Sequence, residues 1–154
     1  MRLAIQIRVI DRGGFLVTPP IRVLVVDDFE PWRRFICSTL QKQTELQVIG
    51  EISDGLEAVQ KAEDLRPDLV LLDIGLPTIN GIEAASRIHQ SVPGAKILFL
   101  TQNNDPDVVR TALLNGARGY ILKADAKRER LPAIETVIRG HKFVSRRLER
   151  PNPN

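Results

Sequence analysis

Cysteine is nearly absent: Cys37 is the one thiol in 154 residues, and tryptophan, tyrosine and methionine also occur once each. A lone cysteine excludes an intramolecular disulfide framework and any zinc site built on cysteines, and it suits a reducing, cytoplasmic setting. Long hydrophobic runs are missing as well. The longest apolar stretches, such as Val23 to Val26 and Leu69 to Leu72, fall far short of the roughly 20 residues that a membrane helix requires, so no membrane contact is expected. A signal peptide is disfavoured because Gln6, Arg8 and Asp11 interrupt the apolar start of the chain. Glycine-rich phosphate loops are lacking, since neither G-x-G-x-x-G nor P-loop spacing occurs, and Gly55, Gly75, Gly81 and Gly116 read as turn and cap positions. His89 and His141 stand alone and fit neither a metal site nor a relay.

Hydrophobic residues make up 43% and charged residues 27%, the balance of an ordinary globular chain with enough length for one core. From Ile21 to Phe143 short apolar runs alternate with amphipathic stretches. The runs Ile21–Val26, Leu46–Glu51, Leu69–Leu72, Lys96–Leu100 and Gly119–Leu122 are too short for helices and mostly apolar throughout, the mark of buried parallel strands. Between them Trp32, Phe35, Ile36, Thr39 and Leu40 form one helical stripe with Cys37 beside it, and Trp32 reads as a core residue packed on the sheet. Four further stripes follow. Asp54-Gly55, Asn80-Gly81 and Asp105-Pro106 mark helix starts, and Asn115-Gly116 and Gly140 mark ends. Five strands each followed by a helix imply a doubly wound α/β domain, a five-stranded parallel sheet with helices on both faces.

Residues 1–20 stand outside this alternation. Leu3, Ile5, Ile7 and Val9 alternate with more polar neighbours, and Gly13-Gly14 would turn the chain back through Phe15 to Val17, as an added hairpin or a loose extension. At the other end, eight basic residues face four acidic ones between Ala124 and Asn154. Without aromatic interleaving beyond Phe143, this reads as a solvated helix face and tail, and no direct nucleic-acid binding by this chain is expected.

In doubly wound sheets the ligand lies beyond the carboxyl ends of the strands. Those positions hold Asp27 and Asp28 after the first core strand, Asp73 after the third, Thr101 after the fourth and Lys123 after the fifth. Converging carboxylates repel one another unless a cation shares their charge, and an all-oxygen set favours Mg²⁺, with Mn²⁺ as the alternative. A carboxylate is also a competent nucleophile for aspartyl-phosphate formation. The Lys123 ammonium and the Thr101 hydroxyl then supply charge and hydrogen bonding to a phosphoryl group.

The segments VLVVDD (Val23–Asp28), PDLVLLDIGLPTINGIEAA (Pro67–Ala85), ILFLTQNND (Ile97–Asp105) and GARGYILKAD (Gly116–Asp125) resemble the receiver domain of two-component response regulators over roughly Ile21 to Ser145. The resemblance implies a flavodoxin-like fold with strand order 2-1-3-4-5, a receiver at 21–145 and a tail or linker start at 146–154. It makes Asp73 the phosphoacceptor, and Asp28 a direct Mg²⁺ ligand with Asp27 adjacent or acting through water. Gly75 would lend its backbone carbonyl, Thr101 and Lys123 would bind the phosphoryl group, and Tyr120 would be the aromatic switch. The implied partner is a sensor histidine kinase or phosphotransfer protein, with a homodimer as one output. The run GARGYILKADAKRERLPAIETVIRGHKFVS is similar to regulators of the NarL/FixJ type, and the sequence stops at Arg150 to Asn154 where their linker to a DNA-binding domain would begin. Two departures stand out. Ala124 follows the lysine where many receivers have proline, and Gln102 follows Thr101 where small residues are common.

The function expected is therefore a phosphoacceptor switch rather than an enzyme acting on other molecules. Its alternatives are the receiver half of a NarL/FixJ-type transcriptional regulator and a phosphorylation-independent interaction module. A Mg²⁺-dependent phosphohydrolase would want a second aspartate two residues after Asp73, where Gly75 stands.

Overall fold

A computed structural model describes residue 3 and residues 8–149 of the chain. A hairpin of β1 (Val9–Ile10) and β2 (Leu16–Val17) comes first. Strand and helix then alternate through β3 (Ile21–Val26), α1 (Glu30–Gln41), β4 (Leu46–Ile52), α2 (Gly55–Leu65), β5 (Leu69–Leu72) and α3 (Gly81–Ser91). They continue through β6 (Lys96–Thr101), α4 (Pro106–Leu114), β7 (Gly119–Leu122), a 3-10 turn (Lys123–Asp125), α5 (Ala126–Ile138), β8 (Phe143–Val144) and α6 (Arg146–Glu149). The main sheet is parallel throughout in the order β4-β3-β5-β6-β7-β8. Its first five members follow the expected 2-1-3-4-5 arrangement of a doubly wound, flavodoxin-like α/β fold.

Alternation along the strands divides the core between the two faces. Leu24, Val26, Val70, Leu72 and Phe99 pack with α2, α3 and α4 through small residues such as Ala58, Ala62, Ala84, Ala85 and Ala112. Val23, Val25, Leu71, Leu98 and Ile121 pack with α1 and α5 through Ile36, Leu40, Ile134 and Val137. Each such side chain, fully withdrawn from water, contributes about 1.5–3 kcal/mol. The expected caps form: Asp54 accepts from the Glu57 N–H, Asn80 from Glu83 and Asp105 from Asp107. Gly81 opens α3 where a Cβ would lie 2.0 Å from the Asp73 carbonyl oxygen, so only glycine lets the helix start so close to the end of β5.

Two expectations change and one open choice is decided. Phe35 belongs to the predicted stripe of α1 but is 53% exposed; the buried line runs through Ile36, Cys37 and Leu40. Of the two readings of the N-terminal alternation, hairpin or loose extension, the structure has the hairpin, Val9 pairing with Val17 and Ile10 with Leu16, while positions 4–7 lie outside the described residues. The region read as a solvated tail forms a sixth strand and a short helix instead. Two residues are too few to show as an apolar run, and what fixes β8 is long-range bonding. Ser145, fully buried, donates its N–H to the Tyr120 carbonyl, accepts the Leu122 N–H on its hydroxyl at 2.9 Å and donates that hydroxyl to Glu129 at 2.8 Å. The second Glu129 oxygen takes the Arg146 N–H, and Arg147 of α6 pairs with the buried Asp125 at 2.8 Å. Among the described residues no peptide bond is cis and no helix is long and apolar enough to cross a membrane.

Candidate functional site

The carboxyl ends of β3, β5, β6 and β7 open onto one cleft of about 490 Å³ lined by Asp28, Phe29, Asp73, Ile74, Gly75, Thr101, Gln102, Asn103 and Lys123. Four apolar strands are stopped at the same edge by polar residues, and parallel pairing in register aligns those stops. Asp27 lies just beneath the cleft. It is 3% exposed and Asp73 9%, whereas Asp28 faces solvent. Oxygens of Asp27, Asp28 and Asp73 lie within 4.8 Å of one another, a set able to hold a divalent metal ion.

The two buried carboxylates are already held by one cation. The Lys123 Nζ donates to Asp27 Oδ2 at 2.7 Å and to Asp73 Oδ2 at 3.0 Å. Backbone N–H groups occupy the remaining oxygens: Phe29 on Asp27 Oδ1 and Ile74 on Asp73 Oδ1. Burial, the largest influence, raises the Asp27 pKa; hydrogen bonds from Lys123 and Phe29 offset it in part, and the nearby Asp73 charge adds to the rise. Burial works to lower the Lys123 pKa, but the bonds and charges of Asp27 and Asp73 outweigh it and hold the ammonium above the ordinary lysine range. Lys123 therefore stays protonated, one ammonium shared between two carboxyl groups.

Thr101 is 2% exposed at the end of β6, and its Oγ1 accepts the Asn103 N–H. Tyr120 is fully buried behind the cleft, packed 5.9 Å from Phe99, and its hydroxyl donates to the Asn103 carbonyl at 2.6 Å. Burial pushes the Tyr120 phenol far above its ordinary range, with the charges of Asp73 and Asp105 adding, so it remains a donor. The ring occupies the inward position of the expected switch. Gln102 faces solvent at the mouth of the cleft.

Every expected site residue is thus at this edge: Asp28, Asp73, Gly75, Thr101 and Lys123 line the cleft, Asp27 lies under it and Tyr120 behind it. Sequence reasoning assigned no role to Phe29 or Asn103 in the wall. It read Trp32 as core only, whereas the indole sits under the Lys123 ammonium, 5.4 Å from its ring centre.

Residues 23–135 match the model of the response regulator receiver domain. The chain belongs to this family. The receiver is 39% identical over 120 residues to the transcriptional regulatory protein LnrK of Bacillus subtilis, an alignment covering 78% of this chain and 54% of that protein. It therefore spans little more than half the length of that curated relative. Among solved structures, the response regulator domain of Thermotoga maritima CheB is 34% identical with a TM-score of 0.69, covering 78% of this chain and 94% of that one. The isolated receiver of RcsB from Salmonella enterica serovar Typhimurium, solved with the phosphomimetic BeF3⁻, is 26% identical with a TM-score of 0.76, covering 84% and 98%. Receiver domains of this kind act as switches in two-component signalling, and their catalysis is confined to their own phosphorylation and dephosphorylation.

Proposed function

We propose that Asp73 is the phosphoacceptor of a two-component phosphorelay, and that the receiver takes its phosphoryl group from phosphohistidine on a sensor histidine kinase or phosphotransfer protein. The observation that carries this reading is the convergence of three carboxylates, Lys123 and Thr101 on one open cleft. The working unit is 21–145, with the hairpin before it and 146–154 after it as appendages.

The donor set suits a hard divalent cation, since all its ligating atoms are oxygens and the two buried carboxylates already draw one positive charge between them. Asp27, Asp28, Asp73 and the Gly75 carbonyl would hold Mg²⁺, or Mn²⁺. When bound, the ion offsets the negative charge that the phosphoryl group brings to the aspartates. An Asp73 oxygen attacks phosphorus in line, the new P–O bond forms as the P–N bond to histidine breaks, and the imidazole leaves. Lys123 gives up part of its bond to Asp73 and turns its ammonium to the phosphoryl oxygens. Thr101 donates its hydroxyl to one of them. That movement pulls on Asn103, whose carbonyl holds the Tyr120 hydroxyl, so the loop after β6 and the α4–β7–α5 surface respond together. A change of partner affinity or homodimerisation is the output.

A second reading, the receiver portion of a DNA-binding regulator, is favoured by the 39% identity to LnrK, a protein of which this chain matches 54%. The coding frame downstream of Asn154 discriminates the two. The chemistry itself is tested by intact mass after treatment with acetyl phosphate. One Mg²⁺-dependent phosphoryl adduct in the wild type and none in Asp73→Asn supports the reading, and an adduct of equal yield in Asp73→Asn overturns it.

A further inference from the structure

The indole of Trp32 is an awkward filler for its position. Its Nε1 is buried and meets no acceptor among the described residues, a cost that a leucine filling the same wall would avoid. What an aliphatic side chain could not offer is a π face, and the face is where Lys123 lies. The ammonium, at the end of a side chain 11% exposed, sits 5.4 Å from the indole centre while it bridges Asp27 and Asp73. Trp32 falls in the first turn of α1, after Pro31, and its other ring contact is Phe35 at 5.6 Å. The ring is therefore fixed from the α1 side and Lys123 from the β7 side.

We propose that Trp32 is a positioning residue for Lys123, its indole face holding the ammonium at the cleft floor when Asp27 and Asp73 turn from Lys123 to other charges. The inference rests on the phosphoacceptor reading and deepens it. A lysine stem has four rotatable carbons, and once its carboxylate partners are engaged elsewhere the ammonium is free to swing into the open cleft. A π surface supplies a second attraction that does not compete with the phosphoryl group, since the ring binds the charge and leaves the N–H donors to point outward.

Trp32 is the sole tryptophan, so its emission is a one-site signal. The experiment uses the full chain as wild type, Trp32→Phe and Trp32→Leu, with acetyl phosphate and Mg²⁺ as probes and thermal unfolding as the folding control. Trp32→Phe, which keeps a π face, is expected to take up phosphoryl groups within about 3-fold of the wild-type rate. Trp32→Leu is expected to fall between about 5- and 30-fold below it while remaining folded. In the wild type, Mg²⁺ changes the indole emission, and Lys123→Met removes most of that change. Equal rates for folded Trp32→Leu and Trp32→Phe, or an emission response to Mg²⁺ unaltered in Lys123→Met, overturn the proposal and leave the phosphoacceptor reading standing. A wild type that accepts no phosphoryl group overturns that reading instead. The coupling of Trp32→Leu to Lys123→Met in urea unfolding then decides the positioning role alone, with additive losses counting against it.

Discussion

Replacing Ser145 by alanine removes one oxygen and breaks two bonds. The Leu122 N–H loses its acceptor in a place where Ser145 is fully buried, and an unsatisfied buried donor costs about 1–3 kcal/mol. Glu129 loses one donor but keeps the Arg146 N–H on its other oxygen, so its share stays under about 1 kcal/mol. The expected loss is about 2–3 kcal/mol, which for a chain of this size lowers Tm by roughly 5–10 °C. Urea unfolding followed by circular dichroism should show a lower midpoint with an unchanged slope, because the surface exposed on unfolding is the same. Arg147→Ala is the companion: its side chain is more than half exposed and Asp125 keeps Arg128, so it should cost under about 1 kcal/mol. A Ser145→Ala loss below about 0.5 kcal/mol would refute the reasoning that this hydroxyl clamps the end of β8 onto β7, the strand that carries Tyr120 and leads into Lys123.

Other substitutions probe other parts of the account. Gly81→Ala drives a methyl against the Asp73 carbonyl and should destabilise by about 1–3 kcal/mol while slowing phosphorylation more than an equally destabilising change elsewhere; unaltered stability and rate would contradict the packing argument. Asn80→Ala removes the cap of α3 and should cost about 1 kcal/mol in urea unfolding, with phosphorylation little changed. Burial, helped by the Glu51 charge, pushes the Cys37 thiol from its ordinary value of 9.0 up to about 12. Its contribution to stability is full below the ordinary value and is lost as pH rises from there toward the folded value. Ellman's reagent at pH 8 should label Cys37 only after denaturant is added, and rapid labelling of the native protein would show that the thiol is open.

The parts of the fold legible in the sequence are those whose signal is local. Val23 to Val26 and Leu69 to Leu72 are apolar on both faces because helices cover both sides of the sheet, and that burial is written into each run by itself. Asp27, Asp28, Asp73, Thr101 and Lys123 were legible because each ends such a run, and parallel pairing brings run ends to one edge. Ser145 and Trp32 carry no comparable signal. The role of Ser145 depends on Leu122 and Glu129, 23 and 16 residues away, and β8 is two residues long. Trp32 sits on an amphipathic stripe that explains it as core, and only the fold brings Lys123 over its face. Phe35 misled for a related reason: it shares the apolar stripe with Ile36 and Leu40, but the buried line of α1 runs through Ile36, Cys37 and Leu40 and leaves Phe35 exposed.

The most direct test of the central claim is to locate the phosphoryl group. After acetyl phosphate and Mg²⁺, borohydride reduction converts an acyl phosphate on aspartate to homoserine, and peptide mapping reads the position. The account predicts homoserine at Asp73 alone, and only when Mg²⁺ is present. Homoserine at Asp27 or Asp28, or at Asp73 to the same extent without a divalent ion, would contradict it.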